Sequence, residues 1–180
     1  MSWNLDAAHS QVNFSAKHMG IMTVRGQFTE VQGSIDFNED DFTASSVEAT
    51  VNAASLVTND AKRDAHLRSA DFLDVENYPS LVFKSTGIER AAHDRYRMAG
   101  DLKIHGVTRP VSLDVVYSGQ AKDPWGNMRA GFSAETTISR KDWGLTYNAA
   151  LETGGFMVSD EVKIALEIEA VKPAEVAAAA

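Results

Sequence analysis

The stretch that decides the fold is Arg95-Tyr96-Arg97-Met98-Ala99-Gly100-Asp101-Leu102-Lys103-Ile104-His105-Gly106-Val107-Thr108-Arg109-Pro110-Val111-Ser112-Leu113-Asp114-Val115-Val116-Tyr117. Tyr96, Met98, Leu102 and Ile104 alternate with Arg95, Arg97, Asp101 and Lys103. Val111, Leu113, Val115 and Tyr117 carry the same period of two on the far side. A strand sends successive side chains to opposite faces, so each run buries one face and wets the other. His105-Gly106 reads as the hairpin turn between them, and Pro110 sits at a strand start, where a missing N–H is tolerated.

The alternation recurs in both directions along the chain. Val12/Phe14/Ala16/His18, Met22/Val24/Gly26/Phe28 and Val47/Ala49/Val51 precede the hairpin; Phe132/Ala134/Thr136/Ile138 and Val162/Ile164/Leu166/Ile168 follow it. Shorter candidates are Ser34–Phe37 and Leu81–Ile88, the latter led in by Pro79. Asn38-Glu39-Asp40-Asp41 and Asp123-Pro124-Trp125-Gly126-Asn127 read as further hairpin connections. Two stretches break the period. Thr58 to Asp71 predicts a short helix over about 60–71, capped by Asn59 or Asp60, with Ala61, Ala65, Ser69 and Phe72 on one stripe and an Asp64–Arg68 pair. Arg140 to Tyr147 predicts a second helical turn.

The chain is all-β, with eight or more strands that each hide one apolar face. Stacked sheets and a closed barrel both satisfy that demand. Short successive turns favour an up-and-down meander, and apolar faces that mix bulky residues with Ala, Gly and Met favour an eight-stranded antiparallel barrel with a ligand-sized interior. Residues 1–171 form one domain on this reading, and 172–180, which lack the alternation, a loose tail.

Composition narrows the function. The 180 residues are 44% apolar and 23% charged, ordinary usage for a folded soluble domain. Seventeen Lys and Arg against 25 Asp and Glu give a net charge of -8, which argues against nucleic acid and anionic membrane surfaces as partners. The absence of Cys removes thiolate metal sites and thiol nucleophiles. No run approaches the roughly 20 apolar residues of a membrane helix, and Met1-Ser2-Trp3-Asn4-Leu5-Asp6 lacks the pattern of a secretory signal, so a cytoplasmic location without membrane insertion is expected.

Catalytic constellations are poor. There is no nucleophile elbow, P-loop or dinucleotide fingerprint, and the five His residues show no metal-ligand spacing, so neither a catalytic set nor a metal or cofactor is expected. Asp6-Ala7-Ala8-His9-Ser10 superficially offers a triad, but three adjacent polar residues before a strand are better read as a turn. His18 falls on the apolar side of its run, as a pocket or core histidine. Lys62, Arg63 and His66 span about a 100° arc of the helix, and with Arg68 they are the candidate site for an anionic head group.

Several motifs resemble the YceI-like family, polyisoprenoid-binding proteins with a lipocalin-like barrel. They run from Trp3-Asn4-Leu5-Asp6-Ala7-Ala8-His9-Ser10-Gln11-Val12-Asn13-Phe14 through Lys17-His18-Met19-Gly20, Val24-Arg25-Gly26-Gln27-Phe28, Arg63-Asp64-Ala65-His66-Leu67-Arg68, Asp71-Phe72-Leu73-Asp74, Tyr78-Pro79 and Phe83-Lys84-Ser85-Thr86. Gly100 to Val111 and Arg140-Lys141-Asp142-Trp143-Gly144-Leu145 complete the series, which extends from residue 3 to about 171. The resemblance implies a bacterial, homodimeric, non-catalytic carrier that holds a long prenyl chain inside the barrel, as a polyprenyl phosphate or an isoprenoid quinone. The alternatives are an enzyme acting on such a lipid through His66 or His18, and an interaction or stress protein whose barrel is solid core. Combined with the strand faces, the carrier reading assigns the lining to Phe14, Val24, Phe28, Phe37, Phe83, Met98, Leu102, Phe132 and Ile138, with His18 and Trp143 as further ligand contacts.

Overall fold

The computed structural model describes residues 2–174. Eleven strand segments pair into one closed antiparallel sheet: β1 (Ser2–Leu5), β2 (Gln11–His18), β3 (Met22–Phe28), β4 (Val31–Asp36), β5 (Ser46–Asn52), β6 (Leu56–Val57), β7 (Ser80–Arg90), β8 (Arg95–Ile104), β9 (Val107–Lys122), β10 (Met128–Ser139) and β11 (Val158–Lys172). Three pairs of segments are single strands bent in the middle. β1 and β2 flank a 3-10 turn at Ala7–His9 and both pair with β11; β4 and β3 pair with β1 and β2 in turn; β5 and β6 pair with β4 and β3. Counted so, the barrel has eight strands in meander order.

Local chemistry explains the connections. His105 (φ 52°) and Gly106 (φ 73°) give the two-residue turn of β8–β9 the paired positive dihedrals that match strand twist. Only glycine suits position 106, because a Cβ there would lie 2.6 Å from the Tyr78 ring. At the β9–β10 turn, Asp123 Oδ1 accepts from the Trp125 and Asn127 amides. Pro110 lies inside β9 rather than at its start, in the part of the strand that β10, paired only from Asp114 onward, leaves unladdered. The connection at Asn38–Asp41 is no tight hairpin: it continues through a 3-10 turn, Phe42–Ala44, that folds Phe42 into the barrel.

The helix, α1 (Ala61–Arg68), is shorter than 60–71, and Asp60 caps it by accepting from the Arg63 amide. Its inward side also differs from expectation. Ala61 and Ala65 are exposed, whereas Asp64 is buried and accepts from the Thr58 amide (2.8 Å) and hydroxyl (2.5 Å) instead of pairing with Arg68. The second helical segment is a 3-10 turn, Arg140–Trp143, stopped by Gly144 at φ 76°. β11 runs to Lys172, the first residue of the expected tail; Pro173 and Ala174 follow it outside the strand, and residues 175–180 lie outside the described residues.

The register sorts the connections to two ends. At one end Trp3, Phe37, Phe42, Tyr96, Tyr117 and Phe132 pack ring against ring at centroid distances of 4.7–6.2 Å. At the other lie α1, the β2–β3 and β8–β9 turns and the 140–157 connection, over a smaller cluster of Ile104, Ile138, Trp143 and Leu145.

Candidate functional site

Between the two ends the barrel encloses a cavity of about 290 Å³. Inward residues of every strand segment build its wall, and the period of two explains which: Val12, Phe14 and Ala16 on β2, for example, and Phe132, Ala134, Thr136 and Ile138 on β10. Phe42 enters from the aromatic end; Leu67, Phe72, Leu73 and Leu145 enter from the helical end. Apart from Asn13, Thr136 and Arg140, every wall residue is apolar.

The space survives because bulky side chains lie against glycines. Phe14 faces Gly26 across the β2–β3 pair, so close that a Cβ on Gly26 would lie 2.2 Å from its ring. Phe83 covers Gly100 in the same way, at 2.4 Å. Each ring is thus laid along the wall instead of across the lumen.

Seven of the expected lining residues are in the wall: Phe14, Phe28, Phe83, Met98, Leu102, Phe132 and Ile138. Four are not. Val24 and His18 have the right strand parity but are not in the wall, although Ala16, paired with Val24, and Val158, paired with His18, are. Phe37 turns into the aromatic cluster. Trp143, 2% exposed, closes the helical end, its indole N–H donating to the Leu102 carbonyl (2.9 Å).

The helix cations are fasteners rather than a gathered anion site. The Arg63 guanidinium donates to the Thr58 hydroxyl and carbonyl, both at 2.7 Å. Arg68 donates to the carbonyls of Ala54 (3.0 Å) and Leu56 (2.5 Å). His66 is hydrogen-bonded to Asp71 (2.8 Å) and packs on Phe72 and Tyr147. Lys62 is exposed. None of the four is in the cavity wall.

The charged residue that is there, Arg140, was not among the expected contacts. The signal was present: extending Phe132/Ala134/Thr136/Ile138 by one more step of two lands on it. Arg140 is 4% exposed and donates from Nε to the Ser159 carbonyl (3.0 Å) and from Nη1 to the Leu145 carbonyl (2.6 Å). Burial lowers its pKa from the ordinary arginine value, against an opposing pull from Asp160.

A second polar cluster lies outside the cavity. Asp6, His9 and Glu169 bring three potential ligand atoms within 4.8 Å of one another, but the Arg129 guanidinium already supplies their positive charge. It lies 2.7 Å from Asp6, bonds Glu169, and reaches Asp123 at 2.9 Å. Arg129 first, then His9, holds the Asp6 carboxyl at about 2. Burial pushes Asp123 up, but hydrogen bonds from Asn127, Arg129 and backbone amides outweigh it and leave that carboxyl also at about 2. His9 bonds Asp6 (2.9 Å), whereas the Ser10 hydroxyl faces the backbone of Glu169, so the Asp6–Ser10 run is a turn and not a triad.

A closed meander barrel around an apolar lumen defines a class of proteins, and comparison places this chain within it. The YceI-like domain family model matches residues 3–170, and the protein belongs to that family. It is 40% identical over 167 residues to the protein YceI of Escherichia coli O157:H7, covering 93% of this chain and 84% of that one. Among solved structures, Burkholderia cenocepacia BcnA superposes with a TM-score of 0.81 at 23% identity, covering 92% of this chain and 98% of that one. A polyisoprenoid binding domain from Saccharophagus degradans, implicated in plant cell wall breakdown, superposes with a TM-score of 0.68 at 14% identity, covering 95% and 98%.

Proposed function

We propose that the protein binds and carries a long-chain isoprenoid lipid, a polyprenyl phosphate or an isoprenoid quinone, in the barrel interior without transforming it. The observation that carries this reading is the apolar cavity of about 290 Å³. Protein interiors are close-packed and hold few voids larger than a water molecule. At about 24 cal/mol per Å³, leaving such a space unfilled forgoes on the order of 7 kcal/mol, comparable with the net stability of an ordinary domain, about 5–15 kcal/mol. An apolar chain supplies the missing contacts at about 0.8 kcal/mol per buried CH₂, or roughly 3–4 kcal/mol per prenyl unit before losses. Neither His18 nor His66, the bases an enzyme reading requires, is in the cavity wall, and the likeness to a polyisoprenoid binding domain from Saccharophagus points the same way.

Native mass spectrometry of the purified protein, before and after denaturation, tests the proposal. The expected result is a folded species heavier than the chain by one lipid, released on unfolding. A folded protein at the bare chain mass that takes up no added prenyl lipid would overturn it. The same spectra report whether the homodimer implied by the family forms.

A further inference from the structure

The β2–β3 turn carries side chains that its backbone does not ask for. The Ile21 amide donates to the His18 carbonyl (3.2 Å) around Met19 at φ 54° and Gly20 at φ 71°. Both central positions of such a turn favour Gly, Asn or Asp. Here a methionine holds the first, Ile21 and Met22 follow the second, and all three are exposed. The Met19 amide donates to the Met157 carbonyl (2.8 Å), which fastens the turn to the 140–157 connection. There a small hairpin, closed by the Ala150–Phe156 bridge and a bond from the Leu151 amide to the Gly155 carbonyl (3.0 Å), presents Phe156 and Met157, also exposed. This apolar patch adjoins the cavity: Ala16 and Val158, the latter next to Met157, are wall residues, and exposed Tyr147 packs on Phe72 of the wall at 5.1 Å. Trp125, the comparably exposed aromatic, stands on the β9–β10 turn at the other end.

The net charge of -8 is unevenly spread. No carboxylate occurs between Asp6 and Glu30, the longest such interval in the sequence, and the whole β2–β3 hairpin lies within it. Lys17 and Arg25 are exposed on that hairpin, and neither pairs with a carboxylate among the described residues; Lys17 Nζ donates to the Thr23 hydroxyl (2.7 Å). The connection from 147 to 157 holds a single carboxylate, Glu152. We infer that the protein docks on a phospholipid bilayer through this patch, Met19, Ile21, Met22, Phe156 and Met157 reaching the acyl boundary while Lys17 and Arg25 meet head-group phosphates. A two-fold contact between copies through the same patch would instead set Lys17 and Arg25 of each against the other's, with only Glu152 to offset them. The inference rests on the lipid-carrier reading for what is exchanged. A prenyl chain that crossed water would expose the apolar surface the barrel hides, and the aromatic end is filled by packed rings, so the end that touches the bilayer is the helical one.

The test is flotation of the full-length protein with vesicles of phosphatidylcholine and phosphatidylglycerol that contain no prenyl lipid. Wild type should float with them. The double variant Ile21→Ser, Phe156→Ser, both at exposed positions, should lower the partition coefficient at least about tenfold with circular dichroism and the lipid mass carried unchanged. Lys17→Gln with Arg25→Gln should weaken binding several-fold on these vesicles and little on phosphatidylcholine alone. Iodide quenching reports the orientation: on vesicles Trp125 should stay quenchable, whereas a tryptophan placed by Ile21→Trp should become shielded. Wild type that does not float overturns the inference, as does a double variant that floats equally well or a shielded Trp125. A dimer in sedimentation that the double variant splits, without flotation of wild type, assigns the patch to a second copy and overturns it too. Lipid load is read separately, so a protein that carries lipid but does not float loses this inference and keeps the carrier reading, and one that floats as described but carries no lipid does the reverse.

Discussion

The two ends of this barrel are made from the same kind of sequence and do opposite things. At the aromatic end Trp3, Phe37, Phe42, Tyr96 and Phe132 are buried and interdigitate edge to face or stacked. Outside them, Arg129 ties the turn at Asp123 to the first and last strands through Asp6 and Glu169. At the helical end the wall is equally apolar, but Phe14 and Phe83 lie flat over Gly26 and Gly100 and the middle stays open. Exposed apolar side chains gather there too, including Ile21 at 76% and Phe156 at 61%. Hydrophobicity is therefore shared, and side-chain size across neighbouring strands separates packed core from cavity.

The largest expected effect breaks the packed end. Trp3→Ala should lower stability by about 3–5 kcal/mol in denaturant unfolding, because Trp3 is 0% exposed and its ring meets Phe37 at 5.2 Å. Phe72→Ala at the helical end, where the ring borders the cavity, should cost clearly less; equal losses would mean that the two ends are packed alike. The next effect converts open wall to closed. The Cβ of Gly26→Ala meets the Phe14 ring first, so it should push that ring into the lumen and cut the lipid carried per protein by at least half, read by mass spectrometry on a variant with normal circular dichroism. An unchanged load would show that Phe14 does not gate the space.

A smaller effect follows pH. Asp6 and Asp123 titrate at about 2 in the folded protein against an ordinary 3.8. Depressed carboxyl pKa values stabilise the fold above the ordinary value, and that contribution is lost as pH falls from about 4 to about 2. Arg129→Met removes a partner common to both. Its melting temperature should lie a few degrees below wild type at pH 5 and above, with the gap closing toward pH 2; a gap independent of pH would assign the loss to packing. The smallest effect belongs to Lys62, which is exposed and outside the wall. Lys62→Glu should leave stability within about 0.5 kcal/mol and prenyl phosphate affinity within about twofold, whereas a large loss of affinity would return the head group to α1.

Much of the architecture is legible residue by residue, since the causes are local. Alternation assigns each strand's inner face because the pleat has a period of two, and that alone places Phe14, Phe28, Phe83, Met98, Leu102, Phe132 and Ile138 toward the lumen. Turn chemistry at His105-Gly106 and Asp123–Asn127 and the cap at Asp60 act within a few residues, so they too can be read directly. The tertiary structure alone decided what depends on neighbours distant in sequence. Val24 and His18 keep the right parity but miss the cavity, while Ala16 and Val158, their partners on the neighbouring strands, line it. Arg63 and Arg68 look like a cationic site in the helix, yet the carbonyls of Thr58, Ala54 and Leu56 take up their donors. Arg140 looks like the start of a surface turn, yet β11 and Leu145 fold over it and leave one nitrogen buried without a partner. Parity and turns are properties of a short stretch of backbone, whereas a void and an unsatisfied donor exist only once strands far apart in the chain have closed around them.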